Sequence, residues 1–319
     1  MPVKTSLFSP PWPLRNAHLQ TVLASKLFKP VPHRTIRERL ELPDGDFLDI
    51  DFSPRGQDDI VAIFHGLAGC VQSPYVQGAF NTLTAKGFSP VLMHWRGCSG
   101  EPNRLARSYH SGASDDIGWF MQYLAHRFEH RKLYALGYSL GANALLKYLG
   151  ETGKHSLVDG AIAISPPLVL QEGATKLNEG ASRIYQRYLL GLMRRQHELK
   201  RQAFPALALP EASSALNTFW KFDDALTAPL HGFSSATDYY TRCSARQFLP
   251  AITTPTHILC ARDDPFFTRD IIPHASELAA DTTLEVSSTG GHVGFLQFGQ
   301  RWLDTQVANR LDAFRQIEN

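Results

Sequence analysis

The chain has 319 residues, 43% of them hydrophobic and 19% charged, with a formal net charge of +2. This is a globular composition, long enough for one large core carrying an inserted subdomain. A charge so near balance sets up no global field for nucleic acid or an anionic membrane, and no apolar run reaches the ~18 residues of a membrane-spanning helix.

Residues 1–34 read as an irregular arm, because Pro10, Pro11, Pro13, Pro30 and Pro32 break any long element. Between the prolines, Leu14 to Thr21 leaves room for a short helix. Met1–Pro13 lacks the apolar stretch of a signal peptide. Ile36 to Phe52 alternate around Pro43-Asp44-Gly45-Asp46, a hairpin signal. Ile60-Val61-Ala62-Ile63-Phe64 is a continuous apolar run, as expected of a strand buried on both faces. It ends in His65-Gly66-Leu67-Ala68-Gly69.

A helix is expected over 75–86, a strand over 89–95, and a helix from Asp115 to about Phe128 with carboxylates in its first turn. The strand Lys132–Leu136 then runs into Gly137-Tyr138-Ser139-Leu140-Gly141 and a helical run, Ala142–Leu149. Strand, G-x-S-x-G, helix is the pattern of a nucleophile elbow: a sharp turn lifts the serine hydroxyl clear of the backbone, and it crowds positions that only glycine fits. Another strand, 161–165, stops at Pro166-Pro167. Strands alternating with helices predict a mostly parallel sheet covered on both faces.

Residues 168–248 break that rhythm and read as an inserted, mostly helical cap. Over 182–202, Ile184, Tyr188 and Leu192 recur at four-residue steps with Tyr185, Leu189 and Met193 beside them, among many arginines. This is a basic amphipathic helix, either a solvated cationic face or a lid in peripheral contact with lipid. The sheet resumes at 256–261, followed by Arg262-Asp263-Asp264-Pro265, a helix over about 269–280, a last strand at 283–287, Gly290-Gly291-His292, and a closing helix from about Gly299 to Ile317.

Ser139, Asp264 and His292 fall in the order expected of α/β-hydrolases, each just past a strand end, so a parallel sheet brings them to one edge. Ser139 would attack an acyl carbon, His292 would carry the proton, and Asp264 would hold the imidazole. Asp263 competes with Asp264 for that place, and Pro265 favours Asp264. The backbone N–H groups of Leu67 and Leu140 are the candidate oxyanion donors. His126 and His130 share a helix face but lack a third ligand at a zinc-binding spacing. Cys70 reads as a buried structural thiol, and four dispersed cysteines suit a reducing compartment. No P-loop or G-x-G-x-x-G occurs, so neither a nucleotide cofactor nor a metal is implied.

The chain resembles the YheT-like branch of the α/β-hydrolases, the AB-hydrolase-4 family of bacterial esterases and their eukaryotic lipase relatives. The likeness rests on Leu14 to Thr21, His65-Gly66-Leu67, Arg96-Gly97-Cys98, the elbow at Ser139, Phe219-Trp220-Lys221-Phe222-Asp223, Ala261 to Pro265 and Gly291 to Phe295. It implies a single α/β-hydrolase domain over 1–319 with a cap at about 168–248. It also implies a cytoplasmic serine esterase that needs no cofactor and cleaves short- to medium-chain or lipid-like esters with Ser139, Asp264 and His292. Acyl transfer, amide or thioester cleavage, and a catalytically silent binding protein remain as alternatives. Oligomeric state is not legible.

Overall fold

The computed structural model describes residues 2–26, 30–54, 58–298 and 300–317. Within them the frame is a nine-stranded sheet: β1 (Val3–Thr5), β2 (Ile36–Glu41), β3 (Phe47–Phe52), β4 (Ile60–Phe64), β5 (Ser89–Met93), β6 (Leu133–Tyr138), β7 (Gly160–Ile164), β8 (Thr256–Ala261) and β9 (Thr282–Ser287). Across the sheet the order is β1-β9-β8-β7-β6-β4-β5-β3-β2. Neighbours from β1 to β5 are parallel, and β3 and β2 extend the sheet antiparallel.

The apolar strands serve two cores. Ile60, Ala62 and Phe64 of β4 join Trp95, Phe120 and Leu145 on one face. Val61 and Ile63 join Phe80 and Leu311 on the other. Side chains alternate along a strand, so a run buried on both faces needs apolar residues throughout. Four helices cover the faces after α1 (Ala17–Lys26): α2 (Pro74–Ala85), α3 (Ser114–Arg127), α4 (Leu140–Thr152) and, at the end of the chain, α10 (Trp302–Ile317). Helices α3 and α4 pack on the first core, α2 and α10 on the second.

Between β7 and β8 the chain leaves the sheet for α5 (Leu170–Lys176), α6 (Arg183–Ala203), α7 (Phe219–Phe222), a π turn over Asp223–Thr227, α8 (Ala228–Leu230) and α9 (Ala236–Cys243). These share a third apolar cluster built on Leu190, Phe219, Phe222, Leu226, Tyr239 and Tyr240. The rotation of α6 differs from the stripe read in the sequence. Tyr185, Leu189 and Met193 pack inward, but Ile184 and Tyr188 are 72% and 51% exposed, and the helix buries Gln186, His197 and Lys200 instead. No helix of the described residues is long and apolar enough to cross a membrane.

The helix expected over 269–280 is absent. Two 3-10 turns, Arg269–Ile271 and Ala275–Glu277, stand there instead. Pro273 lies between them, and a proline at that place removes a helical donor and clashes with the preceding turn. The predicted start of the last helix, Gly299, lies outside the described residues. Before Trp302 the backbone pairs as β10 (Leu296–Gln297) with β11 (Gln300–Arg301).

Candidate active site

Register brings the ends of five adjacent strands level. Phe64 pairs with Gly137, Tyr138 with Ile164, Ile164 with Leu259, and Ala261 with Ser287. The residues that follow β4, β6, β8 and β9 therefore meet at one edge.

Ser139 stands at φ 51° and ψ −118°, a left-handed backbone uncommon outside glycine. Its neighbours explain how the turn closes. A Cβ on Gly137 would sit 2.6 Å from the Ala142 Cα, and one on Gly141 would run into the Phe64 and His65 carbonyls. Both glycines let α4 start directly against the sheet, with its free N–H groups at the edge. Asn143, wholly buried, fastens α4 to the far side: Nδ2 donates to the Ser111 and Cys243 carbonyls at 2.8 Å each, and Oδ1 accepts from Ala245 N at 3.0 Å.

His292 Nδ1 lies 2.8 Å from Asp264 Oδ2, and Nε2 lies 2.8 Å from Ser139 Oγ. An ionised carboxylate only accepts, so Nδ1 carries the proton and Nε2 is left to accept from the serine hydroxyl. Asp264 is buried, and its Oδ1 accepts from Phe266 N at 2.8 Å. Phe266 stacks on the imidazole with centroids 3.9 Å apart and planes 9° from parallel. Asp263 points elsewhere. Its Oδ1 accepts from Gly291 N at 3.0 Å. Burial raises the Asp263 carboxyl above its usual range, and the Gly291 amide opposes the rise.

The turn after β4 is held by three rings, the half-buried Tyr75 and Tyr109 and the buried His65. The Tyr75 hydroxyl accepts from Gly66 N and the Tyr109 hydroxyl from Ala68 N, each at 2.9 Å. His65 is wholly buried, and that burial, with His94 nearby, pushes its imidazole down to about 3. It is therefore neutral at working pH. Trp95 N donates to Nε2 at 3.2 Å, so Nδ1 carries the hydrogen and donates to the Gly66 carbonyl at 2.8 Å. That carbonyl and the Leu67 N–H belong to one planar peptide, so fixing one aims the other. Neither Leu67 N nor Leu140 N has an acceptor among the described residues.

Leu67, Ser139 and Leu140 border a cavity of about 360 Å³ that runs under the β7–β8 excursion, past Leu170, Phe222 and Leu226. At its wall Asp223 Oδ1 accepts from Thr227 Oγ1 at 2.5 Å and Oδ2 from the Tyr240 hydroxyl at 2.7 Å. Burial raises this carboxyl to about 6. Cys70 is half-buried and borders the cavity, rather than lying in the core as read from the sequence. Burial pushes the Cys98 thiol up to about 12. His126 is an exposed surface residue, and the described residues contain no cluster of His, Cys, Asp or Glu able to hold a metal. Reasoning from the sequence did not single out His65, Asn143 or the Asp223–Tyr240 pair as side chains that brace the site. Only the placement of His65, between an apolar strand and Gly66, hinted at its part.

Fold and edge geometry together define an α/β-hydrolase. The sequence pattern described as the alpha/beta hydrolase fold matches residues 59–298, and the chain belongs to that family. The chain is 38% identical over 315 residues to the Escherichia coli (strain K12) protein named "Putative esterase YheT", covering 95% of this chain and 92% of that one. It is 31% identical to the monoacylglycerol lipase of Saccharomyces cerevisiae, over 80% of this chain and 59% of the lipase. Among solved structures, the Pyrococcus furiosus esterase Pf2001 superposes with a TM-score of 0.61 at 15% identity, over 89% of this chain and 91% of that one. At that identity the likeness speaks for the fold alone.

Proposed function

We propose that the protein hydrolyses carboxylic esters through an acyl-enzyme on Ser139. Ser139 Oγ attacks the ester carbonyl carbon and its proton passes to His292 Nε2. The carbonyl oxygen, now negative, accepts from the Leu67 and Leu140 N–H groups. As the intermediate collapses, the C–O bond to the alcohol breaks and His292 returns the proton to the leaving oxygen. Water then enters, gives a proton to His292 and attacks the acyl carbon, and Ser139 leaves reprotonated as the carboxylic acid departs. Asp264 keeps Nδ1 protonated and stabilises the imidazolium between the two halves.

The observation that carries this reading is the unbroken bond chain Asp264–His292–Ser139, each link at 2.8 Å. The esterase and lipase names of the relatives support the ester bond as the target. The apolar wall of Leu170, Phe222 and Leu226 supports an acyl part of short to medium length, with the excursion between β7 and β8 acting as its cap. Hydrolysis of nitrophenyl esters across acyl lengths, by wild type and Ser139→Ala, tests the assignment. A length optimum in the wild type is expected, with loss of roughly four to six orders of magnitude in the variant. Equal activity in the two proteins would remove Ser139 from the reaction.

A further inference from the structure

We infer that α1 is a positioning element for the catalytic imidazole, with Thr21 and Gln20 as its working residues; this rests on the assignment of His292 as the general base.

The loop that carries His292 is poorly suited to hold itself. Gly290, Gly291, Val293 and Phe295 all have positive φ, at 152°, 60°, 52° and 48°. For a β-branched residue such as Val293 this is a costly backbone, kept only where the surroundings over-determine it. Much of that constraint comes from α1, 271 residues away in sequence. His292 N donates to Thr21 Oγ1 at 2.9 Å, and the same hydroxyl donates to the Ala17 carbonyl at 2.9 Å. One oxygen thus anchors the backbone of His292 to the helix, used both as acceptor and as donor.

Gln20 does the equivalent for Leu296. Its Oε1 accepts from Leu296 N at 2.7 Å, and its Nε2 donates to the Leu296 carbonyl at 3.1 Å and the Leu14 carbonyl at 2.7 Å. The primary amide thus engages both backbone groups of Leu296. The helix also lies too close for side chains on the loop. A Cβ at Gly291 would sit 2.5 Å from the Ala17 carbonyl oxygen, and one at Gly294 would sit 3.0 Å from Gln20.

The burial of α1 separates this role from ordinary packing. Its buried residues are Gln20, Thr21 and Ala24, while Leu19 and Val22 are 45% and 42% exposed. Its apolar packing is small, Ala24 and the half-buried Leu23 against Leu14 and Leu296, and a helix docked for apolar area alone would bury Leu19 and Val22 as well. This one buries two polar side chains whose partners include the His292 loop. A further contact reaches the cap: His18 Nδ1 lies 3.0 Å from the Tyr185 hydroxyl, and Tyr185 packs on Phe266, the ring stacked on His292. The backbone of His292 is therefore held by the arm, and its imidazole by a ring the cap leans on.

Thr21→Val keeps the shape of the side chain and removes the acceptor. Steady-state kinetics with a nitrophenyl ester should show kcat reduced about ten- to hundred-fold, as for a displaced catalytic group, with KM and the melting temperature near those of the wild type. Thr21→Ser should restore kcat to within about twofold, since only the hydroxyl is required. If the valine variant does not fold, Thr21→Ala replaces it. A wild-type kcat in a folded Thr21→Val or Thr21→Ala variant overturns the inference. So does loss of fold in both with melting recovered by Thr21→Ser, which assigns Thr21 to stability. His292→Ala runs beside them: if it keeps wild-type activity, the assignment of the general base fails; if it is inactive while Thr21→Val is normal, only the positioning role fails.

Discussion

The edge of the sheet and the excursion between β7 and β8 draw on the same stock of apolar residues, yet they hold their functional groups differently. At the edge, the nucleophile's placement is set by backbone sterics over a few consecutive residues, the left-handed Ser139 with Gly137 and Gly141 pressed against neighbouring backbone, and register brings five strand ends level beside it. In the excursion, placement comes from side chains reaching between elements, such as Asp223 on Tyr240, 17 residues on, and Lys200 on the Arg107 carbonyl, 93 residues back. The first mode leaves a short motif in the sequence, and the second leaves none.

Substitutions at four positions probe that contrast. The largest effect is expected where edge geometry sets the chemistry. Asp264→Asn should lower kcat by about 10⁴, because the amide favours the wrong imidazole tautomer. Asp263→Asn should stay within about tenfold of wild type, since its oxygen can still accept from Gly291 N. Comparable losses in the two would mean that the hydrogen-bond geometry does not select the acid.

A smaller loss is expected at His65, which acts on the edge only through the Gly66–Leu67 peptide. His65→Ala should lower kcat by about 10²–10³, the worth of one oxyanion donor, with KM little changed. His65→Asn, whose amide nitrogen can stand near Nδ1, should recover part of it. An alanine variant as fast as wild type would show that the Leu67 peptide needs no such brace.

The smallest effect belongs to the excursion between β7 and β8 and is read in stability. Asp223 is raised from 3.8 to about 6 by burial, so in that interval the folded chain holds a proton that the unfolded chain has released. Its contribution therefore becomes less favourable as pH rises from about 4 to about 6, and least favourable above that. Asp223→Asn should flatten this part of a melting-temperature profile by a few degrees. An unchanged slope would place the titration elsewhere, for instance at Asp304, which burial also raises to about 6.

What could be read in advance follows the same division. The strands β2 to β9, α2 to α4, the elbow and the level positions of Ser139, Asp264 and His292 follow from periodicity and from glycines that no other residue replaces, whereas β1 lies in the stretch read as an irregular arm and joins the sheet beside β9. The choice between Asp263 and Asp264 needed the path of the backbone after β8, because two adjacent carboxylates differ only in where the turn points them. The helix expected after Pro265 failed because a proline eight residues on, Pro273, interrupts it, and Glu277 serves a bidentate pair with Arg246, 2.7 Å on both oxygens. Part of the α6 stripe, Ile184 and Tyr188, was misjudged, since the burial of the helix also follows polar contacts such as Lys200 Nζ on the Arg107 carbonyl, at 2.6 Å. The link from Thr21 to His292 could not be foreseen, because nothing local to either residue records a contact across 271 positions.

The central claim is that Ser139 carries the acyl group between the two halves of the reaction. The most direct measurement is rapid acid quenching of the protein with a nitrophenyl ester, followed by intact-mass and peptide mass spectrometry. The account predicts a mass increase equal to the acyl group less one hydrogen, located on the peptide containing Ser139 and absent from Ser139→Ala. Modification of a different residue, or steady turnover by Ser139→Ala, would contradict it.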